Sequence, residues 1–516
     1  MKESILIVDF GSQVTKLIAR RIREIGVFSQ VIPFTEIKKN RLDYSFVKGI
    51  IFSGGPKSVK EKNAPKINSF IYNLGIPILG ICYGLQLIAK NFGGNVAPST
   101  DREFGKRELL IKRKSPLFNN VIEINKKQQI WMSHSDKISS LPKDFEQIAS
   151  SQNCEFAVIQ NLNKKIFGVQ FHPEVVHSIG GKKSIKNFVR DICQCKFEWN
   201  MKLFKKEVLE KIKDQVGTNK IICGLSGGVD STVTAKLIHE AVPKNLICVF
   251  VDTGFMRKGE RQQINFLFKK NFKIKLKVIS AKKSFFIKLK GISDPEKKRK
   301  IIGKEFIRIF EEYALKQKNI KYLAQGTLYP DVIESSSKIG KTTVTIKSHH
   351  NVGGLPKKMK LKLLEPLNEL FKDEVRDLGR ELNIPKIFTN RHPFPGPGLA
   401  IRLIGEVNEK DISILRKADD IFIKLIKDEG IYDDIWQAFC VLLPLRTVGV
   451  MGDKRTYEKI CVLRAVTSVD GMTAEAYKFK FKFIEKCANE IVNKVPGINR
   501  VCYDYTSKPP GTIEFE

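Results

Sequence analysis

The sequence predicts an α/β protein with two doubly wound, mostly parallel-sheet domains and a small C-terminal α+β domain. Short apolar runs alternate with amphipathic stretches through residues 1–198 and again through 199–391, a pattern typical of parallel strands that are covered by helices. A segment rich in proline and glycine then opens a last region, 392–516. A chain of 516 residues also exceeds the length that one core normally serves. We therefore expect three domains with these boundaries.

The first region contains the clearest strand patterns. Strands are predicted at Ile5–Phe10, Gly49–Phe52 and Pro77–Ile81, and a helix is predicted at Gln13–Ile25. In open sheets of this class, functional groups gather beyond the carboxyl ends of the strands. The third predicted strand ends in the motif Gly80–Gly84. We therefore expect functional residues in this motif.

The Gly80–Gly84 motif has the spacing G-x-C-x-G, which resembles a nucleophile elbow with cysteine in place of serine. The glycines permit a strained turn that exposes Cys82, and a helix predicted to begin behind it favours the thiolate. A cysteine after a strand can also serve packing alone, so a catalytic interpretation needs a base. His172 ends another apolar run and can accept the proton, and Glu174 can orient its ring. By itself, His172 could equally be a core histidine.

These residues resemble the Cys-His-Glu triad of the class I glutamine amidotransferases. The resemblance implies that Cys82 attacks glutamine and releases ammonia from a glutamyl thioester. An S-G-G-P sequence resembles the oxyanion loop of the family, which implies that the backbone N–H groups of Gly54, Gly55 and Tyr83 stabilise the tetrahedral intermediate. The segment Trp131–Asp136 resembles the one that contacts bound glutamine.

A second glycine-containing motif follows an apolar run at 221–225 and leads into a predicted helix. Adjacent glycines let backbone N–H groups approach an anion closely at the positive end of a helix, and nearby hydroxyls can donate to it. The motif lacks the lysine of a Walker A loop, and on pattern alone it could be an ordinary tight turn. The candidate binding residues are Ser226, Gly227, Gly228, Val229, Asp230, Ser231 and Thr232.

The S-G-G-V-D-S motif resembles the pyrophosphate-binding loop of the ATP pyrophosphatase superfamily, whose members adenylate a substrate oxygen. The resemblance implies ATP binding, with the adenosine near Val251 and Asp252 at the end of the next predicted strand. Asp230 is the candidate ligand for the Mg²⁺ that accompanies ATP, because a hard cation prefers carboxylate oxygens. Asp230 could also cap the helix, and the two roles could coexist. No tightly bound organic cofactor is expected.

Further segments at 322–335, 346–356 and 391–402 extend the resemblance, over essentially the full chain, to the family of glutamine-hydrolysing GMP synthetases. The family implies that xanthosine 5′-monophosphate (XMP) is the acceptor, that it is adenylated with release of pyrophosphate, and that ammonia then displaces AMP. The residues that the resemblance implies for acceptor binding are Arg299, Lys347, Lys508 and Glu514.

The last region has few obvious catalytic groups. We interpret it as a dimerisation module, which the family resemblance also implies, and we expect a stiff, exposed junction at His392–Gly398. A terminal tail is often disordered, yet the resemblance implies that this tail reaches the acceptor site. The predicted strands and helices are Ala400–Ile404, Phe439–Leu443, Ile460–Thr467 and Arg500–Tyr505, and Ile412–Lys427 and Ala474–Lys494.

The formal net charge of +35 favours anionic ligands. The charge leaves open a tRNA-modifying adenylating enzyme or a basic RNA-binding protein with a degenerate synthetase fold. The basic residues are dispersed, however, which fits solvated faces better than a nucleic-acid footprint. We therefore expect small-molecule substrates, together with the homodimer that the last region indicates. The ten cysteines form no C-x-x-C pair, which argues against a zinc site or a dithiol redox motif. A reducing, cytoplasmic compartment is expected, and no apolar run approaches a membrane span.

Overall fold

The computed structural model describes residues 2–39, 42–317, 319–336, 361–468 and 473–516. The chain divides into two compact units, one formed mainly by Met1–Phe204 and the other mainly by Lys205–Tyr329 together with the residues from 361 onward. Within the described ranges, no helix has both the length and the apolar character needed to cross a membrane.

The first unit is organised around one large mixed sheet with helices on its faces. Its strands are β1 (Ser4–Asp9), β2 (Phe28–Pro33), β3 (Val47–Phe52), β4 (Ile78–Ile81), β5 (Asn95–Ile111), β6 (Lys127–Ser140), β7 (Glu146–Ser150), β8 (Val158–Asn161) and β9 (Ile166–Val169). Its helices are α1 (Thr15–Glu24), α2 (Tyr83–Asn91) and α3 (Gly181–Asn187).

The strand order in this sheet is β2-β1-β3-β4-β9-β8-β7-β5-β6. Pairing is parallel from β2 to β9 and antiparallel from β9 to β6. The sequences of the central strands are unbroken apolar runs because both faces of the sheet are covered there, as the fully buried strand β4 illustrates. The predicted α/β class is therefore confirmed, with an antiparallel extension at one side.

The second unit begins with a parallel sheet in the order β12-β11-β10-β13-β14. These strands are β10 (Lys220–Leu225), β11 (Leu246–Asp252), β12 (Leu276–Ser280), β13 (Ile320–Ala324) and β14 (Lys362–Leu364). The helices that follow the first sheet in the chain are α4 (Met201–Val216), α5 (Val229–Ala241), α6 (Glu260–Phe266), α7 (Lys282–Leu289), α8 (Pro295–Leu315), α9 (Tyr329–Ser336), α10 (Lys372–Glu381) and α11 (Lys386–Thr389).

A smaller α+β layer completes the second unit. It consists of α12 (Glu409–Asp428), β15 (Gln437–Met451), β16 (Lys454–Thr467), β17 (Glu475–Ala476), α13 (Phe481–Lys494) and β18 (Ile498–Tyr503). Strand β16 pairs antiparallel with β15 and β17 and parallel with β18. One hydrophobic cluster contains buried residues of both sheets of this unit, such as Val249 of β11 and Leu463 of β16.

In the last region, one predicted strand was wrong and one predicted helix begins later than expected. The predicted strand Ala400–Ile404 is instead a short 3-10 helix, Gly398–Ile401, followed by a single bridge between Leu403 and Leu442. The N–H of Leu399 donates to the Phe255 carbonyl over 2.8 Å, so the start of this segment is held against the turn after β11. Pairing with β15 is limited to the residues around Leu403. The predicted helix Ala474–Lys494 begins only at Phe481, because the residues of β17 pair with β16.

The junction at His392–Gly398 is largely covered, contrary to the expectation of an exposed segment. His392 is buried and stacks on Tyr432 with 3.8 Å between ring centroids. Its Nε2 bonds to the Tyr432 carbonyl at 2.9 Å, and its Nδ1 accepts from the N–H of Ala438 at 3.2 Å. Burial lowers the pKa of His392 to about 4, so the ring is neutral at pH 7 and links the junction to β15.

Candidate active sites

The sheet order brings three strand ends of the first unit together. Strand β4 lies between β3 and β9, and all three are parallel. Their carboxyl ends therefore share one edge, where β4 leads to Cys82, β9 to His172 and β3 to Gly54. A Cβ built on Gly54 would lie 3.2 Å from Cε1 of His172. The predicted oxyanion loop thus runs directly beside the predicted base.

Cys82 occupies a strained turn at the start of α2. Its backbone has φ 51° and ψ −106°, outside the regions that a non-glycine residue usually adopts, at a cost on the order of 1–3 kcal/mol. The Cys82 N–H donates to the Val169 carbonyl over 2.8 Å, which ties the turn to β9. A Cβ at Gly84 would come within 2.5 Å of the Phe52 carbonyl oxygen, so the motif needs glycine at this position.

His172 and Glu174 form a buried pair. Their Nδ1 and Oε1 atoms are 2.8 Å apart, and the Glu174 side chain is fully buried. Burial alone would lower the pKa of His172, but the Glu174 carboxylate and a hydrogen bond with Cys82 hold that pKa well above its usual value. The raised pKa favours the protonated ring, which suits a thiolate partner and a proton donor to a leaving amine.

The predicted oxyanion donors are available. Within the described residues, the backbone N–H groups of Gly54, Gly55 and Tyr83 donate to no protein acceptor. The hydroxyl of Ser53 accepts from the Phe10 N–H over 3.0 Å and donates to the Gly54 carbonyl over 2.8 Å. Because Ser53 holds the carbonyl, the loop is fixed in one orientation before any ligand binds, as preorganised stabilisation of an oxyanion requires.

Two amides beside the nucleophile were missed by the sequence analysis. Nε2 of Gln170 donates to Sγ of Cys82 at 3.5 Å, and Nε2 of Gln86 donates to Oε1 of Gln170 at 3.1 Å and to the Asp136 carbonyl at 2.9 Å. Sγ also lies 3.6 Å from the carbonyl oxygen of Ser133. A glutamine side chain neither ionises nor acts as a nucleophile, so the residue type alone does not suggest a functional role. The only available signal was that both side chains lie within or next to the two triad motifs.

We expect Glu174→Gln to move the alkaline limb of glutamine hydrolysis to lower pH. The carboxylate helps to keep the pKa of His172 raised, so the protonated ring that pairs with the thiolate is present at low pH and is lost as pH rises through that pKa. Without the negative charge, this loss occurs at a lower pH, and the rate at neutral pH should fall on the order of 10²-fold or more. The measurement is glutamate release as a function of pH.

Glu108→Gln is the matched control, because Glu108 is an exposed carboxylate of the same unit that pairs with Lys127. Its pH profile should match the wild type. An unchanged alkaline limb in a folded Glu174→Gln variant would refute the role given to Glu174.

The second candidate site lies at the end of β10, the central strand of the parallel sheet. Gly228 is the N-cap of α5, and Gly227 has φ +80°. The Ser226 hydroxyl accepts from the Gly228 N–H at 3.3 Å and lies 3.2 Å from the Ser231 hydroxyl. The Thr232 hydroxyl donates back to the Gly228 carbonyl at 2.9 Å. Hydrogen bonds from its own hydroxyl groups therefore stabilise the conformation of the loop.

The other predicted nucleotide residues are distributed around this loop. Val229 is buried at the start of α5, and Val251 is fully buried near the end of β11, the strand next to β10. The Asp252 carboxylate accepts from the Gly254 N–H at 3.1 Å and pairs with Arg261 at 3.2 Å. Parallel pairing thus brings the end of β11 beside the loop.

Asp230 lies in the first turn of α5, and the alternative that it caps this helix is wrong because Gly228 holds the cap position. Both carboxylate oxygens of Asp230 accept from Nζ of Lys372, at 2.7 and 2.5 Å. Lys372 is 142 residues away in sequence and no local pattern marked it. Among the described residues, no group of three potential metal-ligating side chains is present.

Two of the predicted acceptor-binding residues, Lys508 and Glu514, lie in the C-terminal tail, and a third, Arg299, contacts the tail. Glu514 accepts from Arg402 at 2.9 and 3.1 Å and from Gln437 at 2.6 Å. Arg299 of α8 donates to the Glu516 carbonyl. Lys508 pairs through its backbone with residue 474. Lys347 lies outside the described residues. The tail is therefore held in place by the buried Arg402 and by Arg299.

Three family models match the chain. The model described as glutamine amidotransferase class-I matches residues 6–192, the NAD synthase model matches 202–327, and the model of the GMP synthase C-terminal domain matches 424–515. The first match covers the cysteine elbow and the His172–Glu174 pair, so this region is a class I glutamine amidotransferase domain.

Curated relatives match over the whole length. Proteins named glutamine-hydrolyzing GMP synthase are 56% identical in Zymomonas mobilis, 54% in Bradyrhizobium diazoefficiens and 52% in Bartonella henselae. Each match covers 100% of this chain and 98%, 93% and 99% of the respective relative. The chain belongs to the family of glutamine-hydrolysing GMP synthases.

Proposed function

We propose that this protein makes GMP from XMP, ATP and glutamine, as a carbon–nitrogen ligase with glutamine as the nitrogen donor. The observation that carries the proposal is that one chain combines a cysteine elbow beside a buried His–Glu pair with a glycine loop at a helix N-terminus. The first site suits ammonia release, and the second suits a nucleotide phosphate. The full-length similarity to GMP synthases supplies the acceptor.

In the first half-reaction, the Cys82 thiolate attacks the side-chain amide carbon of glutamine. The N–H groups of Gly54, Gly55 and Tyr83 stabilise the oxyanion of the tetrahedral intermediate. The His172 imidazolium then protonates the leaving nitrogen, the C–N bond breaks, and ammonia leaves a glutamyl thioester. Water, activated by the now neutral His172, hydrolyses the thioester to glutamate. Glu174 keeps the ring oriented through both steps.

In the second half-reaction, an oxygen of XMP attacks the α-phosphorus of ATP. The new O–P bond forms as the bond to the β-phosphate breaks, and pyrophosphate leaves into the loop formed by residues 226–232. Ammonia then attacks the activated carbon, AMP leaves, and GMP results. Positioning and charge neutralisation carry most of such a phosphoryl-type transfer, which fits a loop of backbone N–H groups and hydroxyls.

Mg²⁺ is proposed as the ion that accompanies ATP, with Asp230 as its protein ligand. A single carboxylate fits this ion, because Mg²⁺ retains several waters and takes its remaining ligands from phosphates. When bound, the ion would neutralise charge on the phosphates. Lys372 competes for the same carboxylate in the present arrangement, so the ion must displace that ammonium group from Asp230.

Arg299, Lys347, Lys508 and Glu514 are proposed to bind XMP. Support comes from the placement of Glu514 between Arg402 and Gln437, where its carboxylate is oriented by two donors. Arg299 lies beside Glu516 of the same tail, so residues of α8 and of the tail meet at one place. Cationic side chains suit the phosphate of a nucleotide.

We further propose domains at 1–198, 199–391 and 392–516, a homodimer formed through the last of these, and a cytoplasmic location. The long hairpin of β15 and β16 carries exposed apolar side chains at Val448, Val450 and Tyr457, which favour burial against a second subunit. All ten cysteines lie in the described residues and none forms a disulfide, as expected in a reducing compartment.

The reaction is tested by measuring AMP and pyrophosphate release with glutamine and ATP present. XMP should support release of both products, whereas inosine and uridine monophosphates should not. Equal release with all three nucleotides, or none with XMP, would contradict the proposed acceptor.

A further inference from the structure

Arg391, which directly precedes the His392–Gly398 junction, contacts the turn of the 226–232 loop although it is 164 positions away in sequence. Its Nη1 donates to the carbonyl oxygen of Gly227 over 2.7 Å. Gly227 is the left-handed residue of the loop, and a Cβ there would lie 2.8 Å from Ile264 and 3.1 Å from Glu260. The turn is therefore packed closely against α6, and the Gly227 carbonyl is held by a cation.

Glu260 fixes the other end of the guanidinium group. It is 2% exposed, its Oε1 accepts from Nη2 of Arg391, and its Oε2 accepts from the Arg257 N–H over 3.1 Å. A planar guanidinium that donates in two directions holds both acceptors in a fixed relation. Lysine, with one nitrogen, cannot reproduce this geometry.

The backbone N–H of Arg257 connects the Arg391–Glu260 pair to a second group of buried charges. Nε of Arg257 lies 3.0 Å from Oδ2 of Asp419, although its N–H is not well directed at that oxygen. Oδ1 of Asp419 lies 4.0 Å from Arg402, which binds Glu514. Each buried charge therefore has a neighbour of opposite sign, and deleting one member leaves another uncompensated.

We propose that Arg391 is a positioning residue for the phosphate loop, acting through the Gly227 carbonyl and supported by Glu260. The peptide group between Gly227 and Gly228 joins the carbonyl that Arg391 holds to the N–H at the N-cap of α5. The Gly228 N–H donates to the Ser226 hydroxyl at 3.3 Å. A hydrogen bond to the Gly227 carbonyl polarises the shared peptide and strengthens this donor, both toward Ser226 and toward an anion that takes the place of the hydroxyl. The contact also keeps the left-handed turn from relaxing when pyrophosphate is absent.

This inference rests on the proposed function, because it takes the 226–232 loop to be the pyrophosphate site. A purely structural role of Arg391 is the alternative. Arg391→Met leaves the buried Glu260 carboxylate with only the Arg257 N–H, so some loss of stability is expected whatever the role. The double variant Arg391→Met/Glu260→Gln removes the unpaired charge as well and separates the two effects.

The experiment uses the full-length protein and inorganic pyrophosphate as the probe, measured by titration calorimetry in a magnesium-containing buffer. Arg391→Met should weaken pyrophosphate binding about tenfold and lower the ammonium-dependent kcat by a similar factor, with the KM for XMP within about twofold. The double variant should regain the melting temperature of the wild type while pyrophosphate binding stays weak. Arg391→Lys should be intermediate.

Recovery of both melting temperature and pyrophosphate affinity in the double variant would overturn the inference, because Arg391 would then be structural only. Unchanged affinity in Arg391→Met, in a protein that still forms AMP from XMP, would overturn it while leaving the proposed function standing. A wild-type protein that forms no AMP from XMP would instead overturn the proposed function. Arg380→Met is the matched control, since Arg380 makes an exposed ion pair with Asp377 in the same unit.

Discussion

Cys82→Ala should abolish glutamine-dependent GMP formation, by roughly 10³-fold or more, and leave ammonium-dependent formation within about twofold of the wild type. The variant removes the nucleophile, so no thioester forms and no ammonia is released. The synthetase residues belong to the other compact unit and keep their own chemistry. Cys82→Ala replaces the buried CH₂SH side chain by a methyl group, which removes one sulfur atom and adds no polar group.

The measurement is GMP formation with glutamine and, separately, with an ammonium salt. Cys502→Ala is a suitable control, because Cys502 is the exposed cysteine of the chain and should affect neither nitrogen source. Loss of both activities in a folded Cys82→Ala variant would contradict the assignment of ammonia release to this residue.

Asp230→Ala should lose GMP formation with both nitrogen sources, on the order of 10²–10³-fold. Its carboxylate is the proposed protein ligand for the ion at the phosphates, and both nitrogen sources require adenylation first. The pair with Lys372 is partly exposed, at 45% of the lysine side chain, and such a pair contributes about 0–1 kcal/mol. A loss of activity therefore should not be explained by unfolding.

Pyrophosphate release with ammonium as the nitrogen source reports this effect directly. Asp377→Ala removes a half-exposed carboxylate from the same unit, 49% exposed and paired with Arg380, and should behave as the wild type. Lys372→Met removes the ion pair but keeps the Asp230 carboxylate, so it separates the loss of the pair from the loss of the carboxylate. Near-normal turnover in Asp230→Ala would exclude Asp230 from metal and phosphate binding.

The α/β class was predictable because buried parallel strands appear as apolar runs that end in turn residues. Cys82 and Ser226 follow such runs directly, so their placement at strand ends came from local sequence. The fact that β4 lies next to β9, which brings Cys82 beside His172, is a property of strand order, and a single sequence does not reveal it.

Contacts between remote segments could not be predicted. Arg391 reaches Gly227 across 164 positions, and Arg402 reaches Glu514 across 112. The local sequence around each of these arginines does not indicate which remote residue it contacts. The helix start at Ala474 failed for a related reason, since helical spacing there is overridden by pairing with β16.

The two sheets of the second unit share one hydrophobic core, which should make their unfolding cooperative. Apolar residues of the parallel sheet and of the antiparallel layer belong to one cluster, as Val249 and Leu463 do. A fragment that stops before residue 392 would lose most of this cluster and leave the remaining members, such as Val249, facing water. The parallel sheet and the smaller layer should therefore unfold together in one transition, so that any selection for stability acts on both at once.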